Sequence, residues 1–408
     1  MKLLRLVFLL AVQSCLIATA AMAQAVKVNE PEVCFACHSD LQDLNAKKHV
    51  HTAFKVGKCS SCHNPHASKH ATLLNDDAGK LCLSCHKVIK KDITRVSSHQ
   101  PAAAGDCLTC HDPHASDFPN QLKQATAGLC TTCHPAVTEW MKRAVIHQPV
   151  AGKQCMTCHK PHGSDNAHLT TSAVPTLCFQ CHKQDQAFQT VHKGYNLSNA
   201  DCTTCHDPHS SSNKGLLMAN QHPPFKAGRC ADCHGALAQS GGSFAIQGSV
   251  STLCLKCHNA IATNLKKEFH GHIAGDSSCV NCHNPHASNV STLLASDQKT
   301  LCMKCHFNDM PVKDKTHYIT HKDIDCTSCH APHGANNERL FKDEDWALCK
   351  SCHPDAHKGS HPMGPEVINK ITNKPVTCIS CHKLHGSDYP KYLPLNPDGD
   401  LCVQCHKK

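Results

Sequence analysis

The chain has 408 residues and a formal net charge of +9, with 4% aromatic residues and a 40% apolar fraction inflated by 33 cysteines. Thirty-seven histidines, about one residue in eleven, are far beyond ordinary soluble usage. This composition excludes two or three domains built on Leu, Ile and Phe cores, a short disulfide scaffold and a disordered chain.

Residues 1–23 have the make-up of a secretory signal. Lys2 and Arg5 form the positive region, Leu6 to Ala20 the apolar stretch, and Ala21-Met22-Ala23 the small-residue cleavage site before Gln24. An uncleaved anchor is the weaker reading, because Gln13, Ser14 and Cys15 interrupt a marginal span. A lipoprotein reading through Val12-Gln13-Ser14-Cys15 is weaker still, because the apolar run continues past Cys15. No later segment approaches about 18 apolar residues, so the mature chain is expected to be exported and to have no transmembrane helix.

The other 32 cysteines all fall into Cys-x-x-Cys-His, sixteen times over. The first eight motifs hold Cys34, Cys37 and His38; Cys59, Cys62 and His63; Cys82, Cys85 and His86; Cys107, Cys110 and His111; Cys130, Cys133 and His134; Cys155, Cys158 and His159; Cys178, Cys181 and His182; and Cys202, Cys205 and His206. The second eight hold Cys230, Cys233 and His234; Cys254, Cys257 and His258; Cys279, Cys282 and His283; Cys302, Cys305 and His306; Cys326, Cys329 and His330; Cys349, Cys352 and His353; Cys378, Cys381 and His382; and Cys402, Cys405 and His406.

Cys-x-x-Cys-His is the attachment signature of c-type haem. Two thiols three residues apart share one face of a helical turn, where each can form a thioether to one vinyl group of the same porphyrin. The histidine that follows then reaches the iron as the proximal ligand. Structural zinc would need four ligands from paired elements and no histidine after each pair. Local disulfides would be strained and would leave the histidines unexplained. A thioredoxin-like motif occurs once, within a βαβ unit. The expected cofactor is sixteen covalently bound haem c groups, each with its iron.

The motifs form an internal repeat with gaps of 23 to 29 residues. One kind is followed by x-Pro-His and a small residue, as in His63-Asn64-Pro65-His66-Ala67, His111-Asp112-Pro113-His114-Ala115 and His159-Lys160-Pro161-His162-Gly163. The run recurs at His209, His286 and His333, and as Lys383-Leu384-His385-Gly386. The other kind is preceded by leucine, as in Leu81-Cys82 and Leu129-Cys130. The run Asn75-Asp76-Asp77-Ala78-Gly79-Lys80 before Cys82 predicts an N-cap and first turn, placing this second kind on a short helix. The ninth motif, at Cys230, lacks the x-Pro-His tail yet has the upstream lead of the first kind. Two first-kind motifs therefore abut at Cys202 and Cys230. This predicts a seam near residues 215–221 between two octahaem halves, 24–218 and 219–408. The Gly/Ser-rich run Ser240 to Ser243 is the rival boundary.

Twenty-one histidines lie outside the motifs, enough to give each of sixteen irons a second axial ligand. Seven are the x-Pro-His residues His66, His114, His162, His209, His286, His333 and His385. Another set precedes motifs of the first kind: His51, His99, His147, His192, His222, His270 or His272, His317 or His321, and His357 or His361. Of these alternatives His272, His321 and His361 are the preferred distal candidates. One further ligand would come from His49, His70, His168 or an unused member of the alternatives. Six methionines beyond the signal are too few for His/Met ligation throughout. Bis-His ligation places potentials on the low side of the haem range.

About 24 residues per haem is too little protein to insulate each porphyrin. The expected fold is mainly irregular with short α-helices, an elongated multihaem cytochrome c with haems as its core and essentially no β-sheet. Removal of Lys2 and Arg5 leaves a polypeptide charge of +7, which haem propionates turn negative. Nucleic-acid binding has no support.

The doubled motifs and the Cys-His-x-Pro-His-[Ala/Gly/Ser] runs resemble the decahaem MtrA/DmsE-type cytochromes over roughly residues 34–408. The resemblance implies a bis-His haem conduit carrying electrons between periplasmic donors and the outside, and so a location in the periplasm or outer membrane. It implies redox partner cytochromes, an outer-membrane β-barrel porin and an extracellular cytochrome as partners. Sixteen motifs rather than ten leave a protruding, periplasmic or filament-forming arrangement open. A non-catalytic electron carrier is the leading expectation. A reductase of nitrogen or sulfur oxyanions is the alternative, disfavoured because no Cys-x-x-Cys-Lys occurs.

Overall fold

A computed structural model describes residues 29–235, 245–268, 279–306, 321, 324–357 and 361–406. The expected signal at 1–23 and the candidate ligands His270, His272 and His317 lie outside the described residues.

The architecture is mainly irregular, with short helices and five two-stranded antiparallel ladders. The longest described helix, Gln298–His306, has nine residues. Only Ala115, Tyr195, Ala287, Ala335, Phe341 and Val376 are buried among the described apolar residues. So sparse a set cannot supply an ordinary hydrophobic core. The chain groups into two compact units, one of Met1–Glu139 with Gln148–Ala173, the other of Trp140–His147 with Val174–Lys408. These are groupings by contact. The octahaem halves 24–218 and 219–408 are a grouping by motif and remain a proposal.

Motifs of the two kinds sit on different turns. Most second-kind motifs lie on α-helices, including Ala78–Cys85, Thr126–Cys133 and Gln298–His306, while the last, at Cys402, lies on the 3-10 turn Cys402–Gln404. Most first-kind motifs lie on single 3-10 turns, such as Cys59–Ser61, Cys107–Thr109 and Cys326–Ser328. The expected helix before Cys82 forms, but the side chain of Asp77 at its N-cap accepts no helix N–H; its carboxylate turns to Lys80 and His70. Ser249 and Asp297 do cap, accepting from the N–H groups of Thr252 and Thr300.

After each first-kind motif the chain loops back onto it. The N–H after the proximal histidine donates to a carbonyl nine residues on, as from Asn64 to Leu73, Asp112 to Gln121 and Asn284 to Leu293. Two successive left-handed residues make each return: Thr72 and Leu73, Asn120 and Gln121, His168 and Leu169, Thr292 and Leu293, Arg339 and Leu340. Outside glycine this conformation costs about 1–2 kcal/mol per residue.

The ladders join successive repeats. His49–Val50 pairs with Ala115–Ser116, Ser97–Ser98 with Gly163–Ser164, Val145–Ile146 with Ser210–Ser211, and Asn220–Gln221 with Ala287–Ser288. Each second strand is the buried small-residue pair that follows an x-Pro-His sequence. Ser68, Ser116, Ser164, Ser211, Ser288 and Ser387 donate from Oγ to a carbonyl six residues on, closing the same loop.

Candidate haem-binding site

Each motif closes a single turn, with the histidine N–H donating to the carbonyl of the first cysteine: His38 to Cys34 at 2.9 Å, His134 to Cys130 at 3.0 Å, His353 to Cys349 at 2.9 Å. None of the 32 motif cysteines is joined to another in a disulfide.

The strained loops act on the proximal rings. His63 donates from Nδ1 to the Thr72 carbonyl at 2.9 Å, and His111, His206, His283, His330 and His382 do the same to Asn120, Gly215, Thr292, Arg339 and Lys391. His159 matches them with His168 at 3.0 Å. A carbonyl only accepts, so the proton sits on Nδ1 and the Nε2 lone pair is left for a metal. The left-handed strain is thus placed where it orients a ligand.

Among the described residues, at least thirteen motif histidines face a second imidazole, with ring centroids 5.8–6.3 Å apart. The x-Pro-His residues His114, His162, His286, His333 and His385 face His63, His111, His234, His283 and His330. The upstream residues His51, His99, His147, His222 and His321 face His86, His134, His182, His258 and His353. His192 faces His206, and both His357 and His361 find partners, in His382 and His406. His38 and His66 are not among these pairs, and His209 lies against the indole of Trp140.

The spacing is a test of fit. An iron between two imidazoles needs a bond of about 2 Å on each side, which with the ring radii separates centroids by about 6 Å. Direct ring stacking would bring them closer; Trp140 and His209 sit at 4.1 Å. The Nε2 atoms of His234 and His286 are 3.5 Å apart, about half an ångström short of the bonded span. Burial, to which the facing imidazole adds, holds His51, His114, His162, His222, His286, His321 and His333 below the ordinary histidine range. The neutral ring is the form that binds metal. The residues fit bis-His haem.

The ladders tie the two facing histidines of one doubled motif to each other. The His51 N–H donates to the His114 carbonyl at 2.8 Å, His99 to His162 at 2.9 Å and His222 to His286 at 2.9 Å. Asx turns set the x-Pro-His residues: Asn64, Asp112, Asp207 and Asn284 accept from the N–H groups of His66, His114, His209 and His286.

Neighbouring motifs touch through alternating cysteines. First cysteines meet between doublets, Cys82 with Cys107 and Cys349 with Cys378. Second cysteines approach within doublets, Cys62 toward Cys85 and Cys329 toward Cys352. Burial first, and then the adjoining thiol, pushes Cys82 up to about 11 and Cys349 up to about 12.

A family model for the doubled CXXCH motif matches residues 51–91, 99–139, 147–187, 196–221, 222–263, 270–311, 317–358 and 372–408. The chain belongs to that family. It is a multihaem c-type cytochrome, with covalently bound haem c iron and a role in electron transfer. The match at 196–221 holds one motif, at Cys202, and the motif at Cys34 precedes the first match. No curated protein matches the cytochrome. No described helix is long and apolar enough to cross a membrane.

Sequence reasoning did not find the Nδ1 acceptors or the ladders. The acceptors are carbonyls, which any residue type carries, and two-residue strands are too short for an alternating pattern.

Proposed function

We propose that the cytochrome binds sixteen haems with bis-His ligation and conducts electrons along them in the periplasm or across the outer membrane, without catalysis of its own. Bound haem supplies a one-electron iron couple. The chain's residues hold the iron ligands in fixed, neutral pairs and keep successive attachment sites adjacent. The observation that carries the reading is the recurrence of facing imidazoles at about 6 Å, which leaves no open axial position at those thirteen motifs. The alternating cysteine contacts, as between Cys82 and Cys107 and between Cys62 and Cys85, support passage of electrons between neighbouring haems, and the motif pattern supports two octahaem halves. Redox partner cytochromes, an outer-membrane β-barrel porin and an extracellular cytochrome are the partners this reading calls for.

The test is electron paramagnetic resonance and turnover on the haem-loaded protein. Uniformly low-spin haem with no reduction of nitrite, hydroxylamine or tetrathionate is expected. A large high-spin signal with rapid turnover of any of these would replace the conduit with a reductase.

A further inference from the structure

His209 differs from the other x-Pro-His histidines in what surrounds its ring. The Trp140 indole lies parallel to it, with centroids 4.1 Å apart and 8° between planes. Phe54 and Phe225 approach His114 and His286 only at tilts of 52° and 47°. Asp207, the x of this x-Pro-His, places Oδ1 3.7 Å from His209 Nδ1 and accepts the His209 N–H at 3.0 Å. Asp207 is 8% exposed. Its Oδ2 accepts from Arg143 at 2.9 Å and from Asn289 at 2.8 Å, and Arg143 also holds the Ser210 carbonyl at 2.8 Å. In the preceding repeat x is Lys160, and Arg95, which stands where Arg143 does here, pairs with Asp92 and Asp165.

We propose that Asp207 is a positioning residue that makes the haem bound by His209 a low-potential site within the series, with Trp140 fixing the ring plane. At 3.7 Å the carboxylate acts on the ring through its negative charge, which raises the electron density at Nε2 and favours ferric iron. Arg143 offsets part of that charge. The proposal rests on the reading of His209 as an axial ligand.

Two steps on the full-length, haem-loaded protein separate the two claims. His209→Gly is expected to remove one low-spin haem per chain; an unchanged low-spin count overturns both. With that loss seen, Asp207→Asn should keep every haem low-spin and raise one potential. The shift expected is about tenfold in that haem's reduced-to-oxidised ratio at fixed applied potential, about 59 mV for one electron. Arg143→Gln should shift the same haem the opposite way, and Asp207→Glu should restore it. A merely structural role would not give shifts of opposite sign. If Asp207→Asn moves the titration no more than Asp112→Asn, whose carboxylate has no such approach to Nδ1, the tuning role is overturned while the ligand assignment stands. If Asp207→Asn does not mature, an upward or absent shift in Arg143→Gln overturns it equally.

Discussion

The rings of His63 and His114 face each other with centroids 6.2 Å apart and planes 24° from parallel, although two further motifs, at Cys82 and Cys107, lie between them in sequence. One repeat thus completes the site of the repeat before it, so that neighbours are interlocked as in a solenoid. His114→Ala should therefore expose one iron to external ligand. About one carbon monoxide per reduced chain is expected, where the parent binds little. His70→Ala, which removes a histidine whose ring lies against Asp76 and Asp77, should add no binding site. Equal uptake by both variants would refute the pairing.

Imidazole planes divide the pairs into classes. Eight pairs lie 19–29° from parallel, while His192–His206, His321–His353 and His361–His406 cross at 63°, 64° and 79°. Crossed rings bring the iron dπ orbitals toward degeneracy, which makes the ferric signal strongly anisotropic. The paramagnetic spectrum should contain a rhombic majority and a strongly anisotropic minority, and His361→Ala should diminish the minority alone. A single rhombic class would contradict the arrangement.

Gly163 tests the ladder between Ser97–Ser98 and Gly163–Ser164. A Cβ there would stand 1.8 Å from the Asp92 carbonyl oxygen, whereas Ala115 and Ala287 are accommodated at the equivalent positions. Gly163→Ala should cost at least the about 1–3 kcal/mol typical of overpacking, read from the denaturation midpoint, and should disturb the haem facing His162. A cost no larger than that of Ala115→Gly would show that the ladder yields freely.

Lys47 and Asp117 meet at 2.5 Å beside the ladder of His49–Val50 and Ala115–Ser116. The Lys47 side chain, first through its hydrogen bond, holds Asp117 below the ordinary carboxylate range. For a depressed carboxyl the stabilisation is complete above its unfolded pKa and is lost as pH falls through the folded one. Stability should therefore decline slightly below about pH 4, and Asp117→Asn should remove that part of the decline. The pair is solvent-exposed, so high salt should weaken the effect.

Intact mass of the mature protein from a cytochrome-maturing host should show sixteen haem additions. Fewer additions, with alkylatable thiols left over, would identify which motifs stay empty.

The attachment sites were legible because their chemistry is local: one porphyrin needs two thiols and an imidazole within a single turn. The scarcity of apolar side chains likewise announced a core of another kind. The choice of distal partner was not legible in the same way. The order of residues limits it to the histidines outside the motifs, but whether His51 turns to His86 or to His63 depends on which strands pair, and two-residue ladders leave no periodic trace. The distinct surroundings of His209 were equally hidden, since Trp140 and Arg143 reach it only through folding. Covalent capacity is written residue by residue along the chain. Axial pairing, ring orientation and the charge beside each ring depend on contacts between repeats, and only the tertiary structure decides those.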